Sequence, residues 1–565
     1  SQTLSLVGRD RTVGDTVTPG IEVTGGTLSN PAGRINLISV GTPQNQTAGG
    51  EINASDLTPS PTLDFSSMGG VTLSRSATVQ TNASSAGSIF VRGGQLVLEG
   101  GSSIQVKTVD GASGGIDIQV ASDVTLKNGS FLATETSGSG NGGNVTVRSA
   151  NLFLENQTTI DSFSDNGGGK GGDVTLQVAG DVSLKNSWLA TGTVGSGDAG
   201  QLMITARNIS LTDGSFMLTA TFPAVDKNSI TTGKGGNISM QASDSISLSE
   251  ASIRNETQGA GDGGMVTITA RDVSLKNNSD MTTYTFSTGR VGNVSIDARD
   301  SFAMSDSNLI SGGQRSIDKE SQNTDPGDVA ITATHVRLNN NSSVKTESNH
   351  SGNTGNLTIV AGDVTLSESS SVTTATFPNS TGTAGNILLN TASLTMNPGT
   401  SITASTSGSG NAGNISITAT DHVTLFGPGA ELATTTSSEG TAGQLNINAS
   451  QLTMTNGAMI SGSRVDGPAG GAGAILIGGV NGPATNISLD NSTIRTTISG
   501  GNELLISSGN IRLTAHEIRL ANGARITADT SGDTPAGSII LNVDNIATSN
   551  GARISSQSTS TESGA

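Results

Sequence analysis

Apolar and polar residues alternate in short runs along most of the chain. After Gly143, the run Asn144-Val-Thr-Val-Arg148 alternates, Leu152-Phe-Leu154 repeats the pattern, and Thr159-Ile-Asp161 repeats it again before a glycine-rich loop. A period of two over three to five residues is typical of β-strands that bury one face. This stretch therefore predicts three short strands within about 30 residues.

The same unit recurs along the chain. Each copy starts with an anchor glycine, which is followed by one residue, usually polar, and then by an apolar run. There are sixteen anchor glycines, and they are Gly87, Gly114, Gly143, Gly172, Gly200, Gly236, Gly264, Gly292, Gly327, Gly355, Gly385, Gly413, Gly443, Gly473, Gly509 and Gly537. Most intervals are 27 to 30 residues and three are 35 or 36. Because three short strands cannot bury a core alone, a repeat of this length indicates stacked units.

We therefore predict an all-β fold, a right-handed parallel β-helix (solenoid) of about 18 coils, each with about 28–30 residues and three short strands. Residues 87–565 form the regular repeats, and residues 1–86 form degenerate N-terminal coils. Inward Val, Ile and Leu stack from coil to coil, which favours small and β-branched residues over rings. The turns carry Asn or Asp, often before Gly, because these residues tolerate positive φ.

Three long intervals interrupt the period. They place insertions near residues 222–234, 312–325 and 480–508. In a solenoid, insertions form loops that project from the coils, often on a binding face. Neutral drift of surface loops also explains them, and we favour that interpretation over a binding role.

Composition narrows the function classes. The 565 residues include 77 glycines and no cysteine, and the aromatic residues are 11 Phe, 1 Tyr and 1 Trp. Without cysteine there are no disulfides, thiolate metal sites or cysteine nucleophiles. The scarcity of rings disfavours a compact enzyme with aromatic cores. With 46 Asp and Glu against 28 Lys and Arg, the net charge of −18 predicts no nucleic-acid partner.

Parallel β-helices also include polysaccharide lyases and hydrolases, which need carboxylates, or a carboxylate and a base, that converge on one face. Six acidic residues lie on or near the third strand, but at differing coil positions: Asp161, Asp165, Glu250, Glu256, Glu347 and Glu431. We therefore predict no catalytic site and no enzyme activity. The loops also lack Asp at a fixed spacing, so we predict no metal and no cofactor.

Four aromatic residues are candidates for glycan binding. Phe222, Tyr284, Phe286 and Phe377 lie at or just after the third strand of their repeats. A flat apolar ring matches the C–H face of a sugar, and few other side chains offer such a surface. The same rings could instead pack on neighbouring Pro and Thr methyl groups.

The repeated sequences also resemble a known family. Gly413-Asn-Ile-Ser-Ile417, Met454-Thr-Asn-Gly-Ala458 and Ser407-Gly-Ser-Gly-Asn-Ala-Gly-Asn414 resemble the filamentous haemagglutinin-like large exoproteins of two-partner secretion, cyanobacterial ones especially. Residues 4–8, 25–28 and 31–40 resemble the segment that follows the secretion domain in that family. The secretion domain itself has no counterpart in this sequence.

The resemblance implies export from a Gram-negative-type bacterium through an outer-membrane secretion pore partner. The mature protein is then a secreted or cell-surface adhesin, a non-catalytic stalk or fibre that mediates attachment, with surface glycans as candidate partners. A chain without cysteine suits this route, since disulfides formed in the periplasm would cross-link a chain that must thread a pore.

Two alternatives remain. The last coil ends where the next anchor glycine is due, which predicts an open coil end. Open strand edges recruit other strands, so the chain could be an extracellular filament subunit that stacks on itself head to tail. A glycan-processing β-helix enzyme is the third hypothesis, and the scattered carboxylates disfavour it.

Overall fold

The chain divides into two compact units. The computed structural model describes residues 2–13, 16–41, 68–111, 113–165, 168–223, 232–286, 289–313, 325–349, 351–378, 380–437, 439–464, 470–499, 509–531 and 535–559. Unit 1 is Ser1–Ala270 and unit 2 is Arg271–Ala565. The predicted division between residues 86 and 87 stays a prediction.

Every helix or strand element in these ranges is a β-strand. In unit 1 the strands are β1 (Thr3–Arg9), β2 (Arg11–Val13), β3 (Thr16–Thr18), β4 (Ile21–Thr24), β5 (Thr27–Ser29), β6 (Arg34–Val40), β7 (Gly70–Ser74), β8 (Thr78–Ala83), β9 (Ile89–Gly93), β10 (Gln95–Leu98), β11 (Ser103–Thr108), β12 (Ile116–Val120), β13 (Asp123–Lys127), β14 (Phe131–Thr136), β15 (Val145–Ser149), β16 (Asn151–Glu155), β17 (Thr159–Ser164), β18 (Val174–Val178), β19 (Asp181–Lys185), β20 (Trp188–Val194), β21 (Leu202–Thr212), β22 (Phe216–Phe222), β23 (Ile238–Ser249) and β24 (Ser252–Thr257). Strand β25 (Val266–Thr285) contains the boundary between the units.

Unit 2 also consists of β-strands. Its strands are β26 (Val294–Gly313), β27 (Val329–Asn339), β28 (Ser343–Ser348), β29 (Leu357–Leu366), β30 (Ser371–Thr376), β31 (Ile387–Met396), β32 (Ser401–Thr406), β33 (Ile415–Phe426), β34 (Glu431–Thr436), β35 (Leu445–Thr455), β36 (Met459–Arg464), β37 (Ile475–Gly478), β38 (Ala484–Asp490), β39 (Thr493–Ile498), β40 (Ile511–Ala521), β41 (Arg525–Ser531), β42 (Ile539–Thr548), β43 (Arg553–Ser555) and β44 (Ser558–Thr559). In the described part of the chain, no helix has the length and apolar character that a membrane span requires.

β2 and β3 pair antiparallel with each other, and the other strands pair with the equivalent strand of a neighbouring coil. In unit 1, β13, β14 and β15 pair in parallel with β16, β17 and β18, so one coil contains three strands. We call the face of β15 and β18 the first face, that of β16 and β19 the second, and that of β17 and β20 the third. The predicted parallel β-solenoid is confirmed, with about 16 turns. Its right-handed sense stays a prediction.

In most coils of unit 2 one continuous strand forms the first and second faces, whereas β37 and β38 are separate strands. Strand β33 pairs with β35 along both faces, and the register shifts between Ala419 and His422. This shift marks the corner where the chain turns from the first face to the second. The third face is formed mostly by separate strands, such as β34 and β36, which pair from Glu431 and Met459 onwards. β26 is an exception, because it continues onto the third face and pairs there with β28.

The core is apolar on two faces and mixed on the third. Val145 and Val147 on the first face and Leu152 and Leu154 on the second are fully buried. On the third face, an inward apolar residue is followed by inward Ser or Thr. In unit 2, the Thr434 hydroxyl donates a hydrogen bond of 2.6 Å to the carbonyl of the anchor Gly443. The expected column of Val, Ile and Leu is therefore incomplete on the third face, because buried hydroxyls satisfy the anchor carbonyls there.

One ring enters the core of unit 2 against the general expectation. Phe302 is fully buried on the second face, and no other phenylalanine of the described residues is. Its register partner in the next coil is Val336, a smaller residue that is also fully buried. A ring is tolerated here since it fills one layer without being repeated in the next coil.

The anchor glycines are required by close stacking. A Cβ atom on Gly143 would overlap the carbonyl oxygen of Gly114, and a Cβ on Gly413 would overlap that of Gly385. A second glycine ladder lies three residues before the anchors, where Gly140 contacts Gly111 in the same way. Only glycine allows the backbones of successive coils to approach this closely.

After most anchor glycines, the next residue takes part in a hydrogen-bonded ladder between coils, which we call the corner ladder. In unit 1, the Asn144 side-chain oxygen accepts the backbone N–H of Asp173 at 2.9 Å, and Asp173 accepts that of Gln201 at 2.8 Å. In unit 2, Asn386 accepts the backbone N–H of Asn414 at 2.9 Å. Asn and Asp therefore recur at this position because their side-chain oxygens bond the next coil.

The predicted turns and insertions have different outcomes. Asn128, Asp213 and Asn456 have φ of 53°, 56° and 55°, which confirms the positive-φ turns. Within 480–508, Gly479 donates a hydrogen bond of 2.9 Å to the Gly482 carbonyl and closes a short turn. The other insertions, at 222–234, 312–325 and the end of 480–508, lie mainly outside the described residues.

Candidate functional site

A column of large side chains lies on the outer side of the third face in unit 1. Phe131, Thr159, Trp188 and Phe216 occupy the same register position in four successive coils. The rings of Trp188 and Phe216 stack, with centroids 5.6 Å apart and planes at 4°. Thr159 interrupts the column, so a gap one coil wide separates the rings of Phe131 and Trp188.

This gap opens into a cavity that we call the third-face pocket. Its volume is about 550 Å³, which is within the range of small-molecule sites. Three aromatic and three acidic side chains line it, together with small and polar residues: Phe131, Phe163, Trp188, Glu135, Asp161 and Asp165. The pocket therefore combines apolar walls with several hydrogen-bond acceptors.

Small residues give the pocket its depth. Asp161 lies between Ala133 and Ala190, its register partners in the two adjacent coils. Phe163 has Gly192 as its partner in the next coil, and a Cβ there would overlap the Phe163 ring. The Phe163 ring thus packs against Gly192, and the alanines leave Asp161 accessible between the walls.

The electrostatics of the pocket are dominated by carboxylates. Burial and the nearby charge of Glu135 raise the pKa of Asp161 to about 7, and Lys107 partly offsets this effect. Burial and Glu135 also raise the pKa of Asp165. Glu135 forms an ion pair of 3.0 Å with Lys107, and both side chains are close to half exposed. Such an exposed pair contributes little to stability. Because Lys107 pairs with only one of the three carboxyl groups, the pocket has net negative charge.

Asp161 is half-buried, and no side chain or backbone N–H of the described residues forms a hydrogen bond with its carboxyl group. An acceptor without a protein partner at the base of a pocket is available to a ligand. In the described ranges, no group of three or more His, Asp or Glu is arranged to hold a metal ion. The chemistry that the geometry offers is therefore hydrogen bonding to a ligand placed against the aromatic walls.

A second concave region lies at the corner between the third and first faces of unit 1. It has a volume of about 450 Å³ and includes Lys170, Asp198 and Lys234. Lys170 and Asp198 form an ion pair of 3.2 Å, and the Asp198 side chain accepts the backbone N–H of Lys234 at 3.0 Å. That hydrogen bond is the main reason why the pKa of Asp198 is lowered, followed by Lys170. These side chains bond to each other across coils, which indicates a structural role.

The structure separates the four aromatic residues predicted from the sequence. Phe222 ends β22 in unit 1, where it is the register partner of Val194. In unit 2, the Tyr284 ring passes 3.6 Å from a Cβ placed on Gly312, and Phe286 follows two residues later. Phe377 follows β30 and is 37% exposed. Tyr284 and Phe377 are three coils apart, so these residues do not form one site, and their glycan role stays a prediction.

The structure brings together residues that the sequence pattern placed apart. Asp161 and Asp165 share the pocket with Glu135, whereas Glu250, Glu256, Glu347 and Glu431 lie in other coils. Sequence reasoning missed Phe131, Glu135 and Trp188. The available signal was the position just before the inward apolar residue of the third strand, as in Phe131-Leu132, Thr159-Ile160 and Trp188-Leu189.

Comparisons with known proteins assign no family. No model of a known protein family matches the chain, and no curated protein sequence matches it. The β-solenoid fold is consistent with a filamentous haemagglutinin-like β-helical protein.

Proposed function

We propose that the chain is a non-catalytic, adhesin-type β-helical stalk of a secreted or cell-surface fibre, which mediates attachment. The main support is the corner ladder, in which outward side chains bond the next coil instead of forming a reaction site. In unit 2, Asn356, Asn386 and Asn414 continue this pattern over three coils, with hydrogen bonds of 3.0 and 2.9 Å. Repeated use of surface side chains to join coils is what an extended scaffold needs.

The proposal includes export through an outer-membrane pore partner and an extracellular location. Its support is the family resemblance, together with a sequence that has no cysteine. A cysteine-free chain is free of cross-links that would hinder passage through a pore. The coils then form after export, since each needs only its neighbour for its strand pairing.

An attachment assay tests this function. Microspheres coated with the purified chain are applied under flow to surfaces carrying extracellular polysaccharide, and the retained fraction is counted. Microspheres carrying the heat-unfolded chain are the matched control. We expect the folded chain to retain several times more particles. Equal retention would overturn the attachment function, and release of reducing ends or unsaturated sugars from the polysaccharide would overturn its non-catalytic character.

A self-assembling filament is the second candidate, in which a second copy of the chain continues the parallel strand pairing. Ile518 is fully buried, but its register partner in the next coil, Ile546, is 41% exposed. A further coil would cover Ile546, and the filament hypothesis requires that a second copy supplies it rather than a longer chain. Sedimentation velocity at rising concentration tests this requirement. The filament predicts growing species that Ile546→Lys abolishes, and a constant sedimentation coefficient would contradict it.

A further inference from the structure

We infer that the third-face pocket binds a neutral saccharide, with one sugar ring seated between Phe131 and Trp188 and its hydroxyl groups bonded to Asp161. This inference rests on the proposed attachment function, because it names the partner of the stalk and the place where that partner binds. It assigns the site to residues that differ from the four aromatic residues predicted from the sequence.

The spacing of the aromatic walls suits one sugar ring. Phe131 and Trp188 are two coils apart in one register column, with Thr159 between them. Two strand spacings place their Cα atoms about 9–10 Å apart. Thr159 forms the base of the gap, and its side chain is small. A flat ring with one apolar face fits such a gap, since it can contact an aromatic wall while its edge stays exposed.

Asp161 presents a carboxyl group that a sugar can bind. Asp161 is the polar group between Ala133 and Ala190, and it has no hydrogen-bond partner among the described residues. A buried or half-buried acceptor without a partner is costly unless a ligand or water satisfies it. Sugar hydroxyl groups donate and accept hydrogen bonds, so they pair with Asp161 in either protonation state.

The negative charge of the third-face pocket determines which sugars it accepts. Glu135, Asp161 and Asp165 line the pocket, and the one cation paired with them, Lys107, is bound to Glu135 at 3.0 Å. A uronic acid or a sulfated sugar would bring a further negative charge close to these carboxylates, which is unfavourable. The pocket therefore selects uncharged sugars over anionic ones.

The repeat itself supplies substitutions that should preserve the fold. Thr occupies the Trp188 position in the preceding coil, and Ala occupies the Asp161 position in both adjacent coils. Trp188→Thr and Asp161→Ala therefore introduce residues that neighbouring coils already accept. Phe216→Thr is the matched control. This substitution removes the ring stack between Phe216 and Trp188, as Trp188→Thr does, but Phe216 does not line the pocket.

The experiment is a glycan array that carries neutral and uronic-acid-containing glycans, followed by interferometry with the best neutral glycan. We expect binding to neutral glycans only, a tenfold or greater loss of affinity in Trp188→Thr and in Asp161→Ala, and less than a twofold change in Phe216→Thr. Circular dichroism confirms that each variant is folded. Absence of neutral glycan binding, a preference for anionic glycans, or unchanged affinity in both pocket variants would overturn the inference.

The attachment assay separates this inference from the proposed function. If microspheres carrying the Trp188→Thr, Asp161→Ala double variant attach as well as wild type, the pocket is not the site, and attachment stands. If soluble glycan binding is lost in the double variant but wild-type microspheres do not attach, the saccharide site stands, and the attachment function is wrong.

Discussion

The side-chain oxygen of Asn414 accepts a hydrogen bond of 2.7 Å from the backbone N–H of Gln444 in the next coil. Asn414 itself donates its backbone N–H to Asn386 at 2.9 Å. Asn414 therefore donates to one neighbouring coil and accepts from the other. This arrangement satisfies a backbone donor that the parallel strands leave free at the corner.

Asn414→Ala should weaken the ladder locally. Loss of the acceptor leaves the Gln444 N–H to water, with a cost of about 1 kcal/mol. Amide exchange at Gln444, measured by mass spectrometry, should become about five times faster. Asn414→Asp should change it little, because Asp173 and Asp328 accept the next N–H in their own coils at 2.8 and 2.7 Å. Equal exchange in Asn414→Ala and wild type would contradict the role of the ladder.

Gly143→Ala should destabilise unit 1. Its Cβ would overlap the Gly114 carbonyl, and overpacking of this kind costs about 1–3 kcal/mol. Thermal unfolding followed by circular dichroism should show a transition several degrees lower. Gly26→Ala is the control, since the nearest atoms to its added Cβ are 3.9 Å away and its φ is not positive. If both variants unfold at the wild-type temperature, close stacking is not why glycine recurs at the anchors.

Phe302→Ala should be among the more damaging changes in unit 2. Removal of a fully buried ring leaves a cavity, and the expected cost is about 3–5 kcal/mol. Phe302→Leu retains part of the volume, so we expect about 1–2 kcal/mol. Urea unfolding measures both values. A cost below about 1 kcal/mol for Phe302→Ala would mean that the surrounding coils close the cavity.

Asp161→Asn should stabilise the protein in a pH-dependent way. The folded-state pKa of Asp161 is raised from 3.8 to about 7, so folding opposes its ionisation. Below pH 3.8 Asp161 is protonated in both the folded and the unfolded chain, so its ionisation costs no folding free energy. The cost grows between pH 3.8 and 7 as the unfolded chain ionises, and it is complete above pH 7. One pKa unit is about 1.4 kcal/mol, and solvent at the pocket mouth reduces the full effect to about 1–2 kcal/mol.

The measurement is the unfolding free energy of wild type and Asp161→Asn at pH 4 and pH 8. The variant should gain stability at pH 8 and little at pH 4. Asp181→Asn provides a control of opposite sign, because hydrogen bonds from Asn208 and then Arg207 lower the pKa of Asp181. That variant should lose stability at pH 8. An Asp161→Asn gain that is equal at both pH values would show that ionisation is not its cause.

The fold could be predicted because its determinants are local and repeated. The anchor glycines and the alternation after Gly143 indicate both the coil and its inward face. The inward positions of the third face were harder to predict. Thr434 is polar, which predicts an outward side chain, but it points inward and bonds the Gly443 carbonyl. The third-face pocket could not be read from one repeat, because Phe131, Asp161 and Trp188 belong to three coils with loops of unequal length between them.

The corner ladder has a direction, and this gives a stack of coils two unlike ends. Asn386 accepts from Asn414, and Asn414 accepts from Gln444, so side-chain oxygens always point toward the later coil. One end of such a stack presents unused acceptors, and the other presents unused backbone donors. Two copies that met by identical ends would place acceptor against acceptor or donor against donor. End-to-end association is therefore restricted to the heterologous, propagating kind, and a two-fold symmetric dimer through these ends is disfavoured.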